Sequence, residues 1–242
     1  MSSNYKIGVF DSGIGGLTVL QEIKRALPNE NILYYGDSKN NPYGNKSDEK
    51  LWEITKKIVN YLKEKQCKVI VIACNTATTR CIKKLREEFP ELVFVGTEPA
   101  IKMACDQGCR ETLVMGTKAT VTSKSVHHLI HKNKKENQNI YLQNCEGLAH
   151  AIETNNQRMI HELLDRYLTP YQNQNIDSVV LGCTHYPLIQ KQILEYFKDA
   201  KIYDGAQGVA REVKHQLEMH NLYTVDTIQG KVTILNSIED SL

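Results

Sequence analysis

The chain has 242 residues, 41% of them apolar, with a formal net charge of +2. That suits a globular protein of one large or two medium domains, and the absence of a basic block argues against nucleic acid as a partner. No apolar run reaches the length of a membrane span, and "MSSNYKIGVF" lacks the apolar core of a signal peptide, so no membrane partner is expected. Seven cysteines, scattered without a framework spacing, fit a reduced, cytoplasmic protein.

In chain order, short apolar runs alternate with stretches of helical length. "YKIGVF" (5–10), "NILYYG" (31–36), "KVIVIA" (68–73) and "ELVFVG" (91–96) read as strands. "ETLVMG" (111–116), "NIYLQN" (139–144), "DSVVLG" (177–182) and "AKIYDG" (200–205) continue the series. Between them, "SDEKLWEITKKIVNYLKEKQ" (47–66) and "NQRMIHELLDRYLTPYQ" (156–172) carry apolar residues at helical spacing. The lysine-rich "HKNKKENQN" (131–139) reads as a solvated loop. This alternation predicts an α/β fold with mainly parallel sheets flanked by helices. Two loops look like one structural event repeated, which predicts two lobes. The domains expected are 1–96 with 206–242, carrying the Cys74 loop, and 97–205, carrying the Cys183 loop.

The repeated event is a cysteine just beyond a buried-looking strand: Cys74-Asn75-Thr76 after "VIVIA", and Cys183-Thr184-His185 after "VVLG". In open parallel sheets chemistry gathers beyond the carboxyl ends of the strands. Both cysteines are expected where a helix begins, a position that favours a thiolate. The other five, Cys67, Cys81, Cys105, Cys109 and Cys145, read as small buried hydrophobes. Cys183 and His185 lack companion ligands at zinc-like spacing, so no metal is expected. In "FDSGIGGLTVL" (10–20), Asp11, Ser12 and three glycines precede an apolar helix. That loop reads equally as an anion site and as a helix cap, but the Walker lysine and the dinucleotide spacing are absent. "GDSKNNPYGNKS" (36–47) holds turn residues that by themselves indicate only geometry.

Two thiols facing one cavity suit one reaction above others. Inverting a stereocentre by proton transfer needs a base on one face of a carbon and an acid on the other. Two rivals stay open: a cysteine hydrolase using Cys183 and His185, and a non-enzymatic binding protein on the same scaffold.

Together, "GVFDSGIGGLTVL", "YYGDSKNNPYGNKS", "ACNTATT", "NCEGLAHAIE" and "VLGCTHYPL" resemble the glutamate racemases of the cofactor-independent aspartate/glutamate racemase family. The motifs run from Gly8 to Pro187, most of the chain. The resemblance implies two pseudo-symmetric α/β domains with the active site between them, the last segment returning to the first domain. It implies interconversion of L- and D-glutamate for peptidoglycan without a cofactor, and a small-molecule substrate as the principal partner; a homodimer is compatible with it. It places Cys74 and Cys183 as the catalytic cysteines, with Asp11 and His185 assisting proton movement beside them. Glu146 matches an acidic residue near the substrate amine. Asp11-Ser12, Tyr43-Gly44, Asn75-Thr76 and Thr184-His185 match the substrate-binding pairs, and Thr117 and Thr120 add hydroxyls for the side-chain carboxylate. "GDSKNNPYG" and Gly205 depart from the family's commoner residues.

Overall fold

The computed structural model describes residues 5–225 and 227–239. In chain order it runs β1 (Lys6–Asp11), α1 (Leu17–Ala26), β2 (Asn31–Gly36), α2 (Asp48–Glu64), β3 (Cys67–Ile72), α3 (Asn75–Glu88) and β4 (Val93–Gly96). Then come α4 (Ile101–Asp106), β5 (Glu111–Gly116), α5 (Lys118–Val121), α6 (Lys124–Asn133), β6 (Asn139–Asn144), α7 (Leu148–Glu153) and α8 (Gln157–Leu168). The chain closes with β7 (Ser178–Gly182), α9 (Gln190–Tyr196), β8 (Lys201–Asp204), α10 (Ala206–Met219) and β9 (Val232–Asn236). It divides into two compact units: one is built from the chain up to Thr97 and from Ala206 onward, the other from Glu98–Gly205.

The first unit is a five-stranded parallel sheet in the order β4-β3-β1-β2-β9. Every residue of β3 is buried, as a continuous apolar run sandwiched between helices requires. One face packs Ile58, Leu62, Ile70 and Phe94 with α2 and α3, and the other packs Ile7, Val9, Val71 and Val213 with α1 and α10. The second unit is a four-stranded parallel sheet, β6-β5-β7-β8, with β7 fully buried. Leu113, Leu148, Leu164 and Val179 form its larger core, and Ile101, Ala104, Val114 and Val180 the smaller one on the opposite side.

Both sheets reverse their winding once. In the first unit the chain passes from β1 to β2 on one side and places β3 on the other, so the β1 and β3 loops flank the reversal. In the second unit β6 and β7 take opposite sides of β5, so the β5 and β7 loops flank it. Such switch points at the carboxyl ends of parallel strands are where open α/β sheets hold ligands. Asp11 ends β1 and Cys74 lies just beyond β3 at the first reversal; Thr117 and Cys183 lie just beyond β5 and β7 at the second.

Three expectations are corrected. The lysine-rich stretch is not simply a solvated loop: α6 runs on to Asn133, and Gln138 is buried, its amide donating to the carbonyls of Cys105 and Cys109 at 3.0 and 2.8 Å. β9 lies outside the strands expected from the sequence. It aligns on β2 because the preceding segment is fastened there: Lys24 Nζ donates to Gly230 O at 2.6 Å and Lys231 N to Asn31 Oδ1 at 2.7 Å. Cys183 does not begin an α-helix. Tyr186–Ile189 form a 3-10 turn containing Pro187, which has no N–H to extend a helix backward, and α9 starts only at Gln190.

Candidate active site

In the first unit the site grows from the carboxyl end of β1. Asp11 is the last residue of that strand, is fully buried, and its Oδ2 accepts from the backbone N–H groups of Gly13 and Gly16 at 3.2 and 3.1 Å. The carboxylate therefore caps a 3-10 turn, Ile14–Gly16, that leads into α1. Gly16 is obligatory there: a Cβ would lie 2.5 Å from Asp11 Cβ. The turn is pinned again where Tyr34 donates its hydroxyl to Gly13 O at 2.5 Å. Ser12 is thereby fixed next to Cys74, whose Sγ donates to Ser12 Oγ at 3.8 Å.

Cys74 occupies the N-cap of α3, in extended backbone, as the sequence suggested. Cys74 is 6% exposed, and Asn75 and Thr76 on the first turn of the helix are buried too. Asn75 Oδ1 accepts no hydrogen bond from the described residues. A buried acceptor without a donor is costly, so a group that brings an N–H to it gains correspondingly. Tyr43 lies in the same apolar cluster as Cys74 and sends its hydroxyl to Asp37 Oδ2 at 2.7 Å. Burial and the negative charge of Asp37 push the Tyr43 phenol well above its ordinary range, so it acts as a neutral donor. Gly44 follows it in the 3-10 turn Tyr43–Asn45.

In the second unit Cys183 Sγ lies 3.9 Å from His185 Nδ1, and His185 Nε2 lies 2.6 Å from Glu153 Oε2. His185 is 1% exposed and the Glu153 side chain 9%. Thr184 is buried between the cysteine and the histidine. Thr117 and Thr120 come together at the N-terminus of α5, the Thr117 hydroxyl accepting from Thr120 N and lying 3.2 Å from the Thr120 hydroxyl.

Glu146 precedes α7. It is exposed on the loop after β6, and what it contributes to the fold is its backbone carbonyl, which accepts from the Tyr167 hydroxyl at 2.7 Å. The carboxylate that reaches His185 belongs to Glu153, at the far end of α7. Gly147, at φ 82°, turns the chain through the left-handed region that glycine tolerates, and α7 then buries Leu148, Ala151 and Ile152. Glu153 follows that buried face. The signal in the sequence is an acidic residue ending the apolar helical period of "LAHAIE".

Four of the other five thiols are held protonated by burial. Burial pushes Cys67 up to about 12 and raises Cys81, Cys105 and Cys145 as well, which keeps them protonated and inert. No group of three or more histidine, cysteine, aspartate or glutamate side chains among the described residues has the arrangement of a metal site.

Fold and loops define an α/β enzyme with a cysteine at the switch point of each of two parallel sheets. The profile of Asp/Glu/hydantoin racemases matches residues 7–213. A glutamate racemase of Clostridium botulinum (strain Okra / Type B1) is 42% identical over 245 residues, covering 99% of this chain and 95% of that protein. Among solved structures, a Bacillus anthracis glutamate racemase superposes with a TM-score of 0.84 at 29% identity, covering 98% of this chain and 90% of that one. A Francisella tularensis glutamate racemase crystallised with D-glutamate gives 0.81 at 28% identity, covering 98% and 89%. The chain belongs to the Asp/Glu/hydantoin racemase family, and its enzyme class is racemase.

Proposed function

We propose that this protein is a cytoplasmic glutamate racemase that interconverts L- and D-glutamate by proton transfer between two cysteines, Cys74 and Cys183, and so supplies D-glutamate for peptidoglycan. The observation that carries this reading is the duplicated loop: each sheet ends a buried strand in a cysteine beside its own polar partner, Ser12 for Cys74 and His185 for Cys183. The near-full-length similarity to proteins named glutamate racemase, one of them crystallised with D-glutamate, supports the choice of substrate.

In the forward step one cysteine, as thiolate, takes the α-proton and becomes a thiol, leaving the electron pair on the α-carbon and its carboxylate. The other cysteine, as thiol, donates its proton to the opposite face and is left as thiolate. The reverse reaction exchanges their roles, so no net proton is consumed. Buried donors in Ser12, Thr76 and Thr184 stabilise the charge that builds on the carboxylate in the transition state. The substrate ammonium donates to Asn75 Oδ1, the buried acceptor described above. His185, oriented by Glu153, moves protons to and from Cys183. Asp11 serves the Cys74 side by fixing the turn that presents Ser12.

The test is incubation of dialysed enzyme with L-glutamate, and separately with D-glutamate, in deuterium oxide without added cofactor. Optical activity should decay to zero from either side while deuterium enters the α-position. A requirement for pyridoxal phosphate or a divalent metal, or turnover of aspartate in preference to glutamate, would reject the reading.

A further inference from the structure

One buried carboxylate has no part in this chemistry. Asp37 is 2% exposed and follows directly on β2, so its carboxyl oxygens need hydrogen-bond partners inside the fold. Its backbone N–H donates to Asp11 O at 2.9 Å, which ties it to the strand end that bears Asp11 and Ser12. Its Oδ2 accepts from the Tyr43 hydroxyl at 2.7 Å, and both its oxygens accept from Asn40 Nδ2 at 3.0 Å. The neighbouring Asn41 donates its side-chain amide to Ser12 O at 3.2 Å.

The turn that follows is held from its other end. Arg80, on the helix that Cys74 caps, donates to Tyr43 O at 3.4 Å and to Lys46 O at 2.8 Å. The Tyr43–Asn45 turn is thus clamped at its phenol by Asp37 and at its backbone by α3. A hydrogen bond from a buried phenol to a carboxylate is among the stronger ones a fold can make, and it fixes the ring in both position and rotation.

We propose that Asp37 is a positioning residue of the racemase site: it holds Tyr43, and through it Gly44, where that turn meets the substrate. The proposal rests on the glutamate racemase reading above. It predicts that Asp37 acts through Tyr43 alone, without touching substrate.

The experiment is a double-mutant cycle of Asp37→Ala and Tyr43→Phe, with Asp37→Asn alongside, measuring kcat and KM for both enantiomers by circular dichroism and Tm for each variant. Each single variant should raise KM about tenfold in both directions, as for loss of one buried hydrogen bond to a charged group, with a smaller change in kcat. The double variant should raise KM no further than Asp37→Ala alone, because the Tyr43–Asp37 contact is already lost there. Asp37→Asn keeps an acceptor for Tyr43 and should restore most of the affinity. If Asp37→Ala does not fold, the comparison of Tyr43→Phe made in the native and the Asp37→Asn backgrounds carries the same test. An active wild-type enzyme in which these variants lower Tm but leave KM unchanged, or in which their effects add, would overturn the proposal alone. A wild-type enzyme that does not racemise glutamate would overturn the racemase reading and the proposal with it.

Discussion

His185 and Glu153 form a buried pair, with Nε2 and Oε2 2.6 Å apart, and the other ring nitrogen of His185 faces Cys183. A carboxylate that fixes an imidazole in one orientation and tautomer, beside a group that must gain and lose a proton, makes that group a better acid and base. Glu153→Gln is therefore expected to lower kcat/KM about a hundredfold, the scale of one general acid–base contribution. The loss must be equal for L- and D-glutamate, because enantiomers have equal free energy. Glu146→Gln, on the exposed loop, should stay within about twofold of the wild type, as surface substitutions do. Steady-state kinetics on the two variants decide between the two carboxylates.

The two thiols should be individually indispensable. Cys74→Ser and Cys183→Ser are each expected to reduce racemisation by at least about a thousandfold, since a serine hydroxyl is a far weaker acid than a thiol and each catalytic group contributes on that scale. A cysteine hydrolase using Cys183 with His185 would keep its turnover in Cys74→Ser, so retention of activity there would overturn the two-base reading.

Asp11 and His185 should act on different halves of the reaction. Primary isotope effects with α-deuterated L- and D-glutamate report which proton transfer limits each direction. Asp11→Asn is expected to change the isotope effect more in the direction where Cys74 is the base, and His185→Asn more where Cys183 is. Identical changes for both enantiomers in both variants would assign these residues to binding or folding.

Asp37 gives a stability prediction with a definite sign. Burial raises its carboxyl above the ordinary value of 3.8, outweighing the hydrogen bonds from Tyr43, Asn40 and Ser237 that lower it. The folded state then binds the proton more tightly than the unfolded chain. Ionising Asp37 costs stability, the cost growing as pH rises from 3.8 through the raised value and constant above it. Asp37→Asn removes this dependence while keeping an acceptor. The difference in Tm, variant minus wild type, should rise with pH across that window and then level off; a difference that falls with pH would contradict the argument.

A second buried pair predicts a larger effect. Lys68 Nζ on β3 lies 2.6 Å from Glu30 Oε2, with both side chains at most 3% exposed, and Glu30 Oε1 also accepts from Thr224 N at 2.8 Å. Lys68→Met leaves a buried carboxylate uncompensated and should destabilise by about 3–5 kcal/mol in urea unfolding. Lys68→Met combined with Glu30→Gln should recover much of that loss, because no buried charge then remains.

By itself the sequence determined the alternation of strands and helices, the parallel sheets, the two cysteine loops and the family. These are legible because each rests on local pattern: a continuous apolar run such as "VIVIA" forms a strand buried on both faces, and the loop after it emerges at the sheet's carboxyl edge. What the tertiary structure alone decided are contacts between residues distant along the chain. Glu153 meets His185 because the left-handed Gly147 and the buried face of α7 set where that helix ends. β9 joins β2 through fastenings to Lys24 and Asn31, which no periodicity in "VTILN" announces. Asp37, one polar residue among the turn formers of "GDSKNNPYG", becomes the anchor of Tyr43 because the loop folds back over it and excludes water from the pair. A carboxylate's role is set by what is buried beside it, and that is a property of the packed chain rather than of the string of residues.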